Sequence, residues 1–353
     1  MIYELLLALL VACGLVLSPW GRRPSELAPF DKDRTLPLRG LLALLVVIGH
    51  CDLKMPGSGL LRVLHMATPA VSVFFFLSGY GLVRSVLRNR DGYLEGFLPR
   101  SFIKIGVPLV MATIAACLFL RLMGEAVNLP HRGHELLTRG RNFPYHSWYV
   151  YALLVHYAAF AVAFARGTLR RGLVLFALFS VGYYLLVRFG LRWPSVWWRT
   201  SLAMSLGTLW AYHEDWLRAA VLRWNWRVYA VASFVTLFCL VIQQAPDSAF
   251  PHVKDLRIHS VLAVGPATAL VMYVLHGLPR PLTAVFAFLG GVSYEIYLLH
   301  FVGERGLVGW FSSPLPYCLS AVAVAVMLAY PMNRLDSCVV RHLGRLLVRG
   351  GRG

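Results

Sequence analysis

Charge is scarce in this chain. Only 14% of its 353 residues are Asp, Glu, Lys or Arg, and acidic residues number just 16. A soluble protein of this length needs more polar surface than that to meet water. Cysteine is also sparse. The six cysteines (Cys13, Cys51, Cys117, Cys239, Cys318, Cys338) make no Cys-x-x-Cys pair, so neither a disulfide framework nor a zinc motif is expected from their spacing. Internal repeats and long hydrophilic stretches are missing too. What remains is apolar: 58% of the residues are hydrophobic and mean hydropathy is +0.63. Many apolar runs approach the roughly 17–25 residues that cross a bilayer. These features predict an all-α, polytopic membrane helix bundle.

The net charge of +18 first suggests nucleic acid. The arginines, however, sit in short loops between apolar runs and gather on no basic face. No nucleic-acid partner is expected; the partner is the lipid bilayer.

Apolar runs place eleven spans. They fall near 2–17, 38–53, 68–84, 103–123, 146–165, 170–188, 197–213, 228–243, 257–276, 283–302 and 316–334. Gly290-Gly291 is a possible break in the tenth. The opening "MIYELLLALLVACGLVLSPWGRRP" has its arginines after the apolar run, which reads as an uncleaved helix rather than a signal peptide. Assigning alternate loops to opposite sides puts 22 of the 34 Lys and Arg on one side and 12 on the other. The positive-inside rule makes the richer side cytoplasmic. The N-terminus then lies outside and the C-terminus inside. The basic tail "RHLGRLLVRGGRG" reads as a solvated or lipid-facing end.

One span is framed by residues that a bilayer tolerates poorly. "LRGLLALLVVIGH" runs from Leu38 to His50 and contains Arg39. Eleven helical steps of about 100° amount to three turns plus roughly 20°, so Arg39 and His50 share a face about 16 Å apart. Pro37 suits the first turn of such a helix. Ionisable groups inside a membrane helix point to function, because burying them is costly.

Five segments in order resemble the acyltransferase-3 family of integral membrane acyltransferases. "LRGLLALLVVIGH" is similar to its Arg-x10-His signature. "FFFLSGYGL" (Phe74 to Leu82) resembles its FFxLSGF element, and "LPRSFIKIGVPL" its basic segment leading into a helix with an early proline. "YHSWYVYALL" (Tyr145 to Leu154) resembles its H-x-WF element and "GVSYEIYLLHF" (Gly291 to Phe301) its SYxxYLxH element. The chain departs from the family at Leu36, where an acidic residue is common, and at Lys104 in place of Arg. It also has a span before the usual first helix. The resemblance implies residues 1–30 as an extra N-terminal span and loop, 31–335 as a ten-helix acyltransferase domain, and 336–353 as a basic cytoplasmic tail.

The resemblance also implies a reaction: an acyl group, acetyl in the usual case, passes from acyl-coenzyme A to a hydroxyl of a surface or lipid-linked glycan. Acyl-coenzyme A is then a co-substrate, with no permanently bound cofactor and no metal. The setting implied is a bacterial inner membrane. Coenzyme A phosphates call for Arg or Lys, and Arg39, Arg84, Arg88, Arg100 and Lys104 stand at the expected cytoplasmic mouth. Arg39 holding the phosphate end would present the thioester near His50. There a neutral imidazole can take the proton of the attacking hydroxyl, or carry the acyl group itself. Ser78 and Tyr80 are substrate-contact candidates, although Ser78-Gly79 better suits close helix packing. His146, Trp148 and Tyr149 could stack on or bond to a sugar, or anchor at the interface. Tyr294, Glu295, Tyr297 and His300 share one helix, and a buried Glu295 needs a partner. Arg305 and Glu304 could simply pair with each other. A transporter or flippase for a lipid-linked saccharide is the alternative, although it would usually show inverted repeats.

Overall fold

A computed structural model describes residues 32–57, 64, 66–224 and 278–350, with isolated positions between 231 and 275. Among the described residues every regular element is a helix. Six helices among the described residues are long and apolar enough to cross a membrane, or seven if one broken pair counts as a span. The spans expected at 2–17, 228–243 and 257–276 lie wholly or mostly outside the described residues. The chain divides into two compact units, one of residues 1–49, 57–88 and 199–291, the other of residues 50–56, 89–198 and 292–353.

Helix α1 (Lys32–Lys54) is unbroken and carries both Arg39 and His50. It begins six residues earlier than the expected span, at Lys32, so Pro37 is not in its first turn. Proline there forgoes the hydrogen bond that its amide would give the carbonyl of Asp33, and apolar burial of Leu38, Leu42, Ala43, Val46 and Val47 outweighs that loss.

In the first unit, α2 (Ala67–Arg88) packs along α8 (Leu202–Tyr212). The contact is backbone to backbone. A Cβ on Gly79 would lie 2.0 Å from the Met204 carbonyl oxygen, and one on Gly207 would lie 2.0 Å from that of Phe76. Only glycine permits this approach. Helix α8 has 11 residues, too few for the span expected over 197–213. Pro194 and a 3-10 turn at Ser195–Trp197 precede it. Helices α9 (Glu214–Trp224) and α10 (Arg280–Gly291) also belong to this unit.

The second unit holds α3 (Arg90–Leu94), α4 (Phe97–Leu122), α5 (Leu129–Arg139), α6 (Trp148–Ala165), α7 (Leu169–Leu185), α11 (Ser293–Leu307) and α12 (Pro314–Gly350). Helix α4 packs on α6, α11 and α12, and α11 packs along α12. The Arg90 guanidinium donates to the carbonyls of Phe164 (2.9 Å) and Gly167 (2.5 Å), satisfying acceptors left over at the end of α6. Helix α5 falls in what the apolar runs suggested was a plain loop. Its caps explain it: the Asn128 side chain accepts from the His131 amide, Pro130 lies in the first turn, and Gly140 ends it at φ 63°. The expected break near Gly290-Gly291 is real. Helix α10 stops at Gly291, Val292 is non-helical, and α11 begins at Ser293.

Candidate active site: an imidazole cluster

Three imidazoles and a carboxylate meet inside the second unit. His50 comes from the end of α1. His146 comes from the turn before α6. His300 and Glu304 lie one turn apart on α11. His300 is fully buried and Glu304 is 2% exposed. The rings form a stack: His50 and His146 have centroids 3.9 Å apart and planes 20° apart, and His50 and His300 lie 4.8 Å apart at 7°.

The hydrogen bonds fix the protons. His300 Nδ1 lies 2.7 Å from the Tyr297 carbonyl oxygen. A carbonyl can only accept, so Nδ1 is the protonated nitrogen and Nε2 carries the lone pair. His50 Nδ1 lies 2.8 Å from that Nε2 and must therefore donate. A neutral His50 then has its lone pair on Nε2. His146 Nε2 lies 2.8 Å from Glu304 Oε2, and Lys54 Nζ lies 3.9 Å from Glu304 Oε1. The Tyr317 hydroxyl donates to the Glu304 carbonyl at 2.7 Å.

His146 adopts a left-handed backbone, φ 65°, which is uncommon for a residue with a Cβ. The Tyr297 hydroxyl donates to its carbonyl, and Tyr297 meets the edge of Tyr149 at 5.3 Å. Below, Phe301 and Phe143 join Ala116 and Leu120 in a buried apolar cluster. Tyr145 packs against Phe301, so one sequence neighbour of His146 and one of His300 are pinned by apolar contacts.

The structure thus brings together His50, His146, His300, Tyr297 and Tyr149 of the sequence candidates. Trp148 is buried beside Tyr149. The Tyr294 hydroxyl donates to the Ile105 carbonyl at 2.8 Å. Glu295 is buried and faces Asn333 and Asp336 of α12. Arg100 donates to the Tyr93 carbonyl at 2.8 Å, and Lys104 stands one turn further along α4. The remaining candidates belong to the first unit. Arg39 is half-buried on α1. Ser78 donates to the Phe74 carbonyl of its own helix at 2.8 Å. The Tyr80 hydroxyl donates to Glu214 at 2.9 Å, and Arg84 pairs with the same carboxylate at 3.1 Å. Arg88 lies in the last turn of α2.

Glu304 and Arg305 do not pair with each other. Successive helical residues point about 100° apart, so Glu304 turns inward to His146 while Arg305 reaches Glu125 at 3.1 Å and covers the Tyr145 ring. Sequence reasoning missed Glu304, Lys54 and Glu214 as partners. The signal for Glu304 was its position four residues after His300, one helical turn along the same face.

Chemically, the cluster offers a basic nitrogen held by a relay, and a second imidazole aligned by a carboxylate. The four donor atoms of His50, His146, His300 and Glu304 also lie within 4.8 Å of one another, close enough to hold a metal ion.

A bundle of apolar helices enclosing polar, ionisable groups defines an integral membrane protein with an internal site. The acyltransferase-domain family matches residues 38–335, and this chain belongs to that acyltransferase-3 family of membrane acyltransferases. Comparison with curated proteins and with solved structures gave no match.

Proposed function

We propose that the protein transfers an acyl group, acetyl in the simplest case, from acyl-coenzyme A to a hydroxyl of a surface or lipid-linked glycan, with His50 as general base. The observation that carries this reading is the directed chain Tyr297 carbonyl, His300, His50. It leaves the lone pair of His50 on Nε2, the state a base requires. The hydroxyl oxygen attacks the thioester carbonyl carbon while its proton passes to His50 Nε2. The C–S bond then breaks, and the departing thiolate takes a proton. Relayed contact with His300 stabilises the imidazolium as it forms, because the His50 Nδ1–H already points at an acceptor.

Arg39, eleven residues earlier on α1, would hold the phosphates of the donor through charge-assisted bonds. Arg100 and Lys104 on α4 are further donor-binding candidates, as are Arg84 and Arg88. Tyr149 and Trp148 would face the acceptor.

The test is acetyl transfer by membranes holding matched amounts of wild type and His50→Gln. Glutamine keeps hydrogen bonding but no useful basicity. The expected fall in rate is about 10²- to 10⁴-fold. Near-full activity in the variant would exclude His50 as the base.

A further inference from the structure

We propose that His50, His146, His300 and Glu304 form a site for a divalent transition metal of the zinc class, and that filling it stops proton abstraction by His50. The inhibitory half rests on the base role proposed above. The binding half does not.

The ligand set is the first support. Three imidazoles and one carboxylate suit zinc, cobalt or copper, whereas magnesium and calcium want oxygen alone. The second support is distance. Bonds of about 2.0–2.2 Å in a tetrahedral site place ligand atoms about 3.4 Å apart. The four donor atoms here are all within 4.8 Å of one another. The widest pair must close by roughly 1.4 Å, within reach of side-chain rotation. The His50–His300 pair, now 2.8 Å apart, must open by about half an ångström. That change replaces a shared proton with a shared cation.

The surroundings are already arranged for ligation. His300 gives its Nδ1–H to the Tyr297 carbonyl, which aims Nε2 into the cluster. Ligating histidines are commonly oriented this way. The Tyr317 hydroxyl on the Glu304 carbonyl anchors the backbone of the fourth ligand. Charge favours the ion as well. Three neutral imidazoles and a carboxylate sum to −1. The lysine that faces Glu304 is Lys54, 3.9 Å away with its side chain 43% exposed. Lys54 can swing outward when a metal arrives.

Exclusivity follows from the imidazole itself. A neutral ring has one lone pair. If the ion binds His50 at Nδ1, the proton must sit on Nε2. If it binds at Nε2, that lone pair is consumed directly. In either case His50 has nothing left with which to take a proton from a hydroxyl.

The experiment uses the full chain in detergent micelles, purified on a tag without histidine. Zinc chloride is titrated by calorimetry, and cobalt by its visible absorption. One equivalent should bind. His146→Ala and Glu304→Gln should each weaken binding about tenfold or more, and His342→Ala on the exposed end of α12 should leave it unchanged. Zinc-saturated protein should release acetyl from acetyl-coenzyme A at least tenfold more slowly, with EDTA restoring the rate. No saturable binding, or binding indifferent to His146→Ala, overturns the site and leaves the base role standing. Binding without loss of rate overturns the exclusivity and the base role together. Loss of rate on EDTA treatment would make the ion a resident cofactor and overturn the inhibition.

Discussion

At the scale of single residues, two kinds of ionic contact can be told apart by burial. Glu304 is 2% exposed against His146, whereas Glu125 and Arg305 meet with side chains 46% and 31% exposed. A charge-assisted bond of the first kind contributes about 1.5–3 kcal/mol, so Glu304→Gln should slow transfer about 10- to 150-fold. An exposed pair contributes at most about 1 kcal/mol, and Glu125→Ala should transfer at close to the wild-type rate. Matched assays of the two variants check both. Arg39→Ala should cost donor binding about 1.5–3 kcal/mol; unchanged affinity for coenzyme A in a folded variant would count against its phosphate role. His50, His146, His300 and Tyr297 were all legible in the sequence as reactive types in recognisable segments. Their meeting was not. His50 and His300 are 250 residues apart, and no periodicity within one segment reports a contact between two. Glu304 was legible only in part, because its neighbour Arg305 offered a plausible partner whose direction on the helix rules it out.

Helices were read well where length and hydropathy agreed, as in α2, α4, α6 and α7, since a bilayer demands both at once. They were read poorly where local chemistry decided. Capping residues Asn128 and Gly140 make α5 in a polar connection, and Pro194 with the following 3-10 turn delays α8 to Leu202. The Ser78-Gly79 ambiguity resolves on the packing side for Gly79, whose missing side chain lets α2 meet α8. Gly79→Leu should therefore lower stability by about 1–3 kcal/mol through overpacking. Gly81 lies two residues away, and a Cβ there would meet nothing within 4 Å. Gly81→Ala should be neutral or stabilising by up to about 1 kcal/mol. Thermal unfolding of both variants in the same detergent compares them directly, and equal losses would deny the close approach.

For the molecule in its membrane, the loop charges carry a prediction that the helices alone do not. Residues 85–102 should be cytoplasmic and residues 124–145 extracytoplasmic. Single cysteines placed in each segment and challenged with a membrane-impermeant thiol reagent on intact cells check this; labelling of the 85–102 segment would invert the orientation and move the donor site with it. The family was legible from five ordered segments, and the match over residues 38–335 bears that out. The short α8 has a further consequence, for synthesis. Eleven residues rise about 16 Å, half the roughly 30 Å of a hydrocarbon core, so α8 is a weak candidate for independent insertion. Its glycine-lined partner α2 ends 114 residues before α8 begins. At about 5–20 residues per second, α2 waits roughly 6–23 s in the bilayer with its Gly79 face open. During that interval a nascent chain offers the insertion machinery a groove cut for a helix that has yet to be made.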